Sequence, residues 1–431
     1  MTGALRRPRT LTVAGQITSV QGSSIIATFP QAAVGDLCWL TDRTGRMIRG
    51  QVVAFSESSF SLALFEDPDG IYPGIPIFTN SSSLSIPVGA ELLGRVITPL
   101  GDPLDGAARP IRAAEHRPLL SRPPPVSDRP LIEEALETGV RAIDGFCTLG
   151  TGQRIGIFAS AGIGKSTLLS MIARRAAADV IVVALVGERG REVKEFLDES
   201  LGPEGLSRSV IVVATSDDSS LMRQTAPYAA TTIAEHFRDT GKKVLLIVDS
   251  LTRMARAVRE TSLAAGDLPV RHGYTNSVYT QLPKLIERAG RSHRGSITAL
   301  YTVLTNQEDD IDPLADEVKS LLDGHISLRQ EIASLGVLPA IDVTQSISRL
   351  FSRLSPDTHI QSAQQLTYAI TRLLRERHVA LLGGVPDPEL ACILENQDAL
   401  LGCVRQGLSE RCGIADARQR MEAACRLIGR F

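Results

Sequence analysis

The chain has 431 residues, of which 43% are hydrophobic and 22% charged, and its formal net charge at pH 7 is −2. This composition is typical of a globular protein of roughly two to four domains. The balanced charge gives no indication of a nucleic-acid or anionic-membrane partner. No apolar run approaches the ~20 residues of a membrane-spanning helix, and no secretory signal opens the chain. Six scattered cysteines without metal-type spacing predict free thiols and a cytoplasmic location.

The N-terminal part carries short β signals separated by Gly, Asp and Pro, which predict a small β-barrel domain over residues 1–85. The strand signals lie at 11–14, 17–20, 24–29, 51–55 and 59–64. A short basic arm precedes them and contains Arg6, Arg7 and Arg9. The arm is either a mobile terminus or a docking peptide for an acidic partner or lipid head groups.

After a connector and a Pro-rich linker, the pattern changes to apolar strands that alternate with helices, and we assign residues 86–350 to this second domain. Helices are expected at 165–178 and 227–239. Buried strands are expected at 155–159, 180–186, 210–215, 244–248 and 297–304. This alternation predicts a parallel sheet covered on both faces, with its ligand site at the carboxyl ends of the strands.

The loop 159–167 follows the first of these strands and precedes a helix, which is the context of a phosphate-binding loop. Lys165 is expected to reach the β- and γ-phosphates of a nucleotide, and the Ser166 hydroxyl to hold Mg²⁺. Ala159 stands where the motif usually begins with Gly, a minor departure. The predicted nucleotide-binding residues are Gly162, Ile163, Gly164, Lys165, Ser166 and Thr167.

A second acidic position lies at the end of the strand 244–248, where Asp249 follows an apolar run. Such an acid suits a Mg²⁺ site, through water or an indirect bond. The alternative is that Asp249 and Ser250 cap the following helix, and both roles are compatible. Because residue 250 is not a carboxylate, the base that activates water must come from elsewhere.

The hexapeptide 187–192, Gly-Glu-Arg-Gly-Arg-Glu, supplies a candidate base at the same sheet edge. Glu188 is closest to the strand end and is the first candidate to orient the attacking water, with Glu192 in reserve. Arg189 is a candidate for holding phosphate charge or pairing with an acid across a subunit boundary. A solvated polar loop is the alternative for the hexapeptide.

Beyond residue 350 the strand signals stop, and helical spacing over 366–378, 389–407 and 414–429 predicts a helical C-terminal domain at 351–431. Just before it, Arg349 is a candidate arginine finger for transition-state charge. Most arginines at such positions are surface residues, so the sequence alone leaves both readings open.

Several longer phrases together resemble the ATPases of bacterial type III secretion systems and flagellar export, relatives of the catalytic subunit of rotary ATP synthases. The phrases run through most of the chain and lie at 138–145, 159–167, 187–196, 214–217, 230–235, 249–253, 271–274 and 322–325. The resemblance implies an α/β RecA-like nucleotide-binding core between the barrel and the helical domain. It also implies ATP and Mg²⁺ as substrate and cofactor.

The resemblance further implies a homohexamer with active sites at subunit interfaces. Lys165, Ser166, Glu188, Arg189 and Asp249 would come from one subunit, with Glu188 as the base. Arg349 would come from the neighbouring subunit. One departure concerns the adenine end, because this family places Tyr before the phrase 339–342 and the present chain has Leu338. Aromatic stacking on adenine is therefore lost, and only apolar contact remains.

On this resemblance, we expect ATP hydrolysis to strip chaperones from effector proteins and to help unfold and export them. The expected partners are a stator-like regulator, a central stalk protein, the export gate and chaperone–effector complexes. The expected location is the cytoplasmic face of the inner membrane, with peripheral association through the apparatus. The segment at Gly273 and Tyr274 is read either as a pore loop or as a packing loop.

Three rival interpretations are distinguishable. A rotary synthase subunit needs an acidic helix-loop in the C-terminal domain, and no dense acidic run is present there. A nucleic-acid translocase needs a basic barrel with exposed aromatic residues, and residues 10–85 contain few Lys or Arg. A nucleotide-gated scaffold without turnover is disfavoured by Glu188. We therefore expect an ATPase with no nucleic-acid partner. The alternative is a flagellar export ATPase or a rotary ATP synthase catalytic subunit.

Overall fold

The computed structural model describes residues 12–21, 24–28, 32–56, 58–106, 111–305, 312–381 and 385–429. The basic arm at Arg6, Arg7 and Arg9 lies outside these ranges. Within them, the chain forms a barrel, a layered sheet-and-helix core and a helical C-terminal segment. Among the described residues, no helix combines the length and apolarity needed to cross a membrane.

The N-terminal strands close into a six-stranded barrel in the order β1-β2-β5-β4-β3-β6. Alternate residues of β5 point inward, as a half-buried strand requires. The strands expected at 11–14 and 17–20 are one strand, β1, because bulges let it bend without ending. The strands β3 and β6 were not predicted. The six strands are β1 (Thr12–Gln21), β2 (Ser24–Thr28), β3 (Asp36–Thr41), β4 (Met47–Ser56), β5 (Ser59–Leu64) and β6 (Pro76–Ser83).

A connecting region links the barrel to the core and contains short elements. Its strands β7 and β9 pair with each other, β10 pairs with β11, and β8 joins the edge of the main sheet. These elements are β7 (Ser85–Val88), β8 (Arg95–Ile97), β9 (Glu115–Pro118), β10 (Ala135–Leu136), α1 (Arg141–Phe146) and β11 (Leu149–Gly150).

The central sheet has the strand order β21-β20-β12-β19-β15-β13-β14-β8, and β18 pairs with β19. All neighbours pair in parallel except β18 with β19 and β20 with β21. The five strands predicted from apolar runs are confirmed as β12, β13, β14, β15 and β19 within a few residues at their ends. The strands are β12 (Arg154–Ala159), β13 (Val180–Glu188), β14 (Ser209–Thr215), β15 (Lys243–Asp249), β18 (Gly290–Arg291), β19 (Ser296–Leu304), β20 (Gly324–Ser327) and β21 (Ile347–Ser348). A separate hairpin pairs β16 (Pro269–Arg271) with β17 (Tyr274–Thr275).

Helices cover both faces of this sheet, and two of them differ from the predicted bounds. The helix after the phosphate loop ends at Arg175 rather than at 178. The helix expected to start at Pro227 begins at Ser220, capped by the Ser219 hydroxyl, and Pro227 lies inside it. Proline favours a first helical turn, which is why the sequence pattern placed the start too late. The helices are α2 (Lys165–Arg175), α3 (Gly190–Glu195), α4 (Gly202–Ser207), α5 (Ser220–Asp239), α6 (Leu251–Ala264), α7 (Asn276–Ile286), α8 (Pro313–Leu321) and α9 (Gln330–Ser334), with a π-helical turn at Phe196–Leu201.

The C-terminal segment is helical, as predicted, but the helix expected over 389–407 is two helices. Asn396 ends the first of them, and its side-chain amide donates 2.9 Å to the Cys392 carbonyl. The buried side chains of this segment continue the core on one face of the central sheet, so Leu366 and Met421 share a cluster with Ile157. The helices are α10 (Phe351–Leu354), α11 (Asp357–Leu381), α12 (Pro388–Glu395), α13 (Gln397–Gly402) and α14 (Ile414–Ile428).

Candidate active site

The phosphate loop joins β12 to α2 and leaves the helix N-terminus open. Gly162 and Gly164 have φ values of 80° and 92°, a region that favours glycine. Gly164 is the N-cap residue of α2, and no side chain caps the helix. The first amides of a helix have no intrahelical partner, so those of α2 can donate to an anion.

Lys165 lies at the centre of a compact charged cluster. Its ammonium group contacts a carboxylate oxygen of Asp249 and lies 3.8 Å from Oε1 of Glu188. Each of the three side chains is about nine-tenths buried. The structure thus brings together the last residues of β13 and β15 and the first residue of α2, the helix that follows β12.

Asp249 is the last residue of β15, and its carboxylate points into this cluster. Its Oδ1 accepts a hydrogen bond of 2.7 Å from the hydroxyl of Thr302 on the neighbouring strand β19. The cap of α6 is Ser250, whose hydroxyl accepts from the Arg253 amide at 3.3 Å. The capping role therefore belongs to Ser250, and the Asp249 carboxylate remains with Lys165.

Glu188 is the final residue of β13 rather than part of a loop. The pairing with β14 shifts register between Val186 and Glu188, and Gly187 has a φ of 65°. A bulge of this kind re-aims the next side chain. The carboxylate of Glu188 consequently faces Arg253, whose Nη2 lies 3.0 Å from Oε2, while another nitrogen of the same guanidinium contacts the Gly187 carbonyl.

Burial raises the pKa of the Glu188 carboxyl to about 7. A hydrogen bond donated by protonated Glu188 to Glu192 also raises this pKa, as does the charge of Asp249. The charges of Lys165 and Arg253 oppose the rise. A carboxyl group with a pKa near neutrality is suited to exchange a proton with water.

Two predicted arginines lie outside the cluster. Arg189 is the N-cap residue of α3; its side chain is 77% exposed, and its nearest acid is Glu192, at 3.8 Å. Arg349 is exposed beyond β21 at the sheet margin, and only its backbone amide is fixed, by the Asp323 carbonyl at 3.0 Å. None of the ion pairs found among the described residues involves the Arg349 side chain.

The predicted adenine residue, Leu338, is 55% exposed, and its carbonyl accepts from the Gln406 amide at 2.8 Å. Leu408, two residues after Gln406, is 62% exposed. It lines a cleft of about 360 Å³ together with Ser166 and Thr167 of the phosphate loop. The C-terminal segment therefore reaches the nucleotide cleft. Sequence reasoning missed Leu408, because nothing in the local pattern around it indicates a long-range contact.

Sequence reasoning also missed Arg253 and Thr302 as parts of the site. Arg253 stands four residues after Asp249, one turn into α6, and Thr302 faces Asp249 from the adjacent parallel strand. The relation of Arg253 to Asp249 was visible in the chain order. The contact of Arg253 with Glu188 depends on the neighbouring positions of β13 and β15 in the sheet.

The residues present fit a magnesium–nucleotide complex. The Ser166 hydroxyl and the Asp249 carboxylate are hard oxygen donors beside the open amides of α2. No group of three or more His, Cys, Asp or Glu side chains suited to a metal occurs within the described ranges. The two oxygen donors, on Ser166 and Asp249, suit Mg²⁺, which is commonly held by one or two protein oxygens together with substrate phosphates and water.

Fold and site together define a P-loop nucleotide hydrolase with a RecA-like core. The family described as "ATP synthase alpha/beta family, nucleotide-binding domain" matches residues 139–348. The type 3 secretion system ATPase of Xanthomonas euvesicatoria is 48% identical over 82% of this chain and 80% of its own length. The flagellum-specific ATP synthase of Bacillus subtilis is 46% identical over 81% and 80%.

A solved structure of the assembled ATPase EscN, from the enteropathogenic E. coli type III secretion system, has a TM-score of 0.89 and 40% identity. The match covers 96% of this chain and 100% of that one. EscN in complex with its central stalk EscO matches with a TM-score of 0.85. The chain belongs to the ATP synthase alpha/beta family, within the ATPases of type III secretion and flagellar export, and is an ATP-hydrolysing enzyme.

Proposed function

We propose that the chain is the ATP hydrolase of a bacterial type III secretion system and works as a homohexamer with shared active sites. The observation that carries this proposal is the buried cluster of Lys165, Asp249, Glu188 and Arg253 beside an open phosphate loop. Its support from relatives is the match to the assembled ATPase EscN along 96% of the chain.

In this proposal the amides of residues 162–167 bind the β- and γ-phosphates, and Lys165 exchanges its contact with Asp249 for the phosphate oxygens. Ser166, directly, and Asp249, through water, would hold Mg²⁺, which neutralises phosphate charge when bound. The rearrangement of Lys165 would also free the Asp249 carboxylate to hold the magnesium ion of the bound nucleotide.

Glu188 acts as the base in its ionised form and takes the proton of the water that attacks the γ-phosphate. Arg253 holds Oε2 of that carboxylate, leaving Oε1, the atom nearer Lys165, to face the water. Arg189, which is exposed outside the cluster, would hold phosphate charge or pair with an acid across a subunit boundary. Arg349 completes the site from the next subunit, which is consistent with its exposure and lack of an ion pair within the described part of one chain.

At the other end of the nucleotide, Leu338 provides apolar contact to the base, and Leu408 adds a second apolar side chain. Neither residue stacks as an aromatic ring does, so we propose a weaker hold on adenine than an aromatic residue at 338 would give.

The energy of hydrolysis is proposed to release chaperones from effector proteins, to assist their unfolding and to admit them to the export channel. We assign the barrel (1–85) to ring assembly and the basic arm to a stator-like regulator. The ATPase domain is 86–350, and the helical domain (351–431) faces chaperone–effector complexes. Further partners are a central stalk protein and the export gate at the cytoplasmic face of the inner membrane. The stalk partner is proposed because the relative EscN has been solved in complex with its central stalk EscO.

The test uses the purified full chain with a chaperone–effector complex from its own genome. Wild-type protein with Mg-ATP should free the chaperone and release phosphate, whereas the Lys165→Ala variant should do neither while retaining its fold by circular dichroism. Chaperone release by Lys165→Ala at the wild-type rate would reject the coupling. Phosphate release at the wild-type rate by Glu188→Ala would reject the base.

A flagellar export ATPase is the second candidate, favoured by the 46% identity to the flagellum-specific protein of Bacillus subtilis. Deletion in the source organism separates the two functions. Loss of effector secretion with normal swimming supports the first candidate, and loss of motility supports the second.

A further inference from the structure

A second cavity, of about 790 Å³, lies at the C-terminal end of α2, between the core and the segment 408–413. Four arginines line it, but only two carboxylates, Glu137 and Glu204. We call it the arginine cavity. The arginines are Arg174, Arg175, Arg208 and Arg411.

Three of the four guanidinium groups in the arginine cavity donate to carbonyl oxygens rather than to carboxylates. Arg208 donates to the carbonyls of Ala178, Ala173 and Arg174 at 2.8, 3.1 and 3.0 Å. Arg174 contacts the Ser200 carbonyl, and Arg175 that of Leu408. Among the ion pairs of the described residues, none includes any of these four arginines. The carbonyls satisfy donors, but no carboxylate among the described residues forms an ion pair with these guanidinium groups.

Arg175 is the arginine of this cavity whose donors and charge are least satisfied. Its Nη1 is buried and has no hydrogen-bond partner within the described part of the chain. Burial, and then the charges of Arg174 and Arg411, lower the pKa of its guanidinium, and the charge of Glu410 opposes them in part. The end of α2 offers only about half a negative charge through the helix dipole, which is too little for four arginines. Arg174 and Arg411 are exposed, while Arg175 and Arg208 are half-buried, so an anion that joined the cluster would offset the repulsion felt by the two half-buried side chains.

We propose that the arginine cavity binds a small phosphate-bearing anion. Its volume lies within the range of small-molecule sites, about 300–1,000 Å³. Guanidinium groups match phosphate oxygens with paired hydrogen bonds, and the Arg175 guanidinium keeps one donor, Nη1, without a partner among the described residues, which a turn of the side chain would bring to the cavity. The exposed Arg411 supplies a second charge from the C-terminal segment.

The arginine cavity adjoins the nucleotide cleft, because two residues line both. Arg174 and Leu408 line both. An anion between Arg175 and Arg411 would hold the segment 408–413 against α2, and with it Leu408 at the nucleotide cleft. Occupancy of the arginine cavity should therefore lower the KM for ATP, with a smaller effect on kcat.

The test measures pyrophosphate binding to the full chain by calorimetry, in a Lys165→Ala background that weakens binding at the phosphate loop. We expect saturable binding that Arg175→Gln and Arg411→Gln each weaken by about tenfold or more, as expected for loss of a charge-assisted hydrogen bond. The matched control is Arg426→Gln. It also removes one positive charge, but from α14, where the Arg426 side chain is 81% exposed. It should leave the dissociation constant unchanged.

Arg411 is exposed, so its replacement keeps the test valid even if Arg175→Gln fails to fold. Equal binding by Arg411→Gln and Arg426→Gln would overturn the proposal, as would a lack of saturable binding in the parent protein. Binding to separate subunits that disappears on assembly would also overturn it, because the arginines would then meet a neighbouring subunit.

Discussion

Replacement of Glu188 by glutamine isolates the charge of the proposed base. Glutamine has the same shape, and its amide oxygen can still accept from Arg253, which lies 3.0 Å from the carboxylate. The amide cannot take a proton from water. The variant should therefore bind Mg-ATP with nearly unchanged affinity while losing the chemical step.

The expected loss follows from the usual contribution of a positioned base, about 10²- to 10⁴-fold in rate. The folding stability of Glu188→Gln, unlike its catalytic rate, should increase. The pKa of Glu188 is about 7 in the folded chain, above the ordinary value of 4.5, so its ionisation opposes folding as pH rises through 4.5 to 7. Glutamine removes this cost, and the melting temperature should increase more at pH 8 than at pH 5.

Two assays on the same protein test this pair of expectations. Phosphate release under saturating Mg-ATP gives the rate, and thermal unfolding at pH 5 and pH 8 gives stability. Glu195→Gln is the matched control, since Glu195 is an exposed acid on the same helix as Glu192. Phosphate release by Glu188→Gln within threefold of wild type would refute the role of the base. An equal increase in melting temperature at pH 5 and pH 8 would refute the claim that burial raises the pKa of Glu188.

Three further expectations concern the surroundings of Glu188 and the adenine end. The kcat/KM for ATP should rise with pH, and the rise should have an apparent pKa near 7, which we call the Glu188 limb of the pH profile. Glu192→Ala should move this limb to lower pH, because it removes the hydrogen bond that raises the pKa of Glu188. Arg253→Gln should move the limb to higher pH by removing a favourable charge, and an unmoved limb in both variants would exclude Glu188 as its source. Leu338→Tyr should tighten binding of a fluorescent ATP analogue by about 2- to 10-fold, the worth of an aromatic contact, while the same change at exposed Leu427 should have no effect.

Much of the fold could be predicted because buried parallel strands are continuous apolar runs. The strands β13 and β15 are of this kind, and the glycines of the phosphate loop mark a local conformation that a sequence expresses directly. The barrel was harder, since bulges interrupt the alternation in β1 and polar residues fill much of β6. The division of the 389–407 helix depends on Asn396, whose side chain binds its own backbone.

The site was predictable where residues adjoin strand ends, as Glu188 and Asp249 do. It was not predictable where it depends on contacts between distant segments. The approach of Arg253 to Glu188 requires the sheet order, and the approach of Leu408 to the phosphate loop requires the C-terminal helices to pack on the core. Such contacts follow from tertiary packing, which no local pattern encodes.

The proposed active site is completed by a second subunit, and subunit mixing tests this arrangement directly. Arg349→Ala and Lys165→Ala are each expected to be inactive, and the first should still bind ATP. In a ring formed at random from equal amounts, about a quarter of the interfaces pair an intact Lys165 with an intact neighbouring Arg349. Phosphate release should therefore reappear on mixing and assembly. An absence of recovery at every mixing ratio, with mixed rings verified by mass, would contradict the shared site.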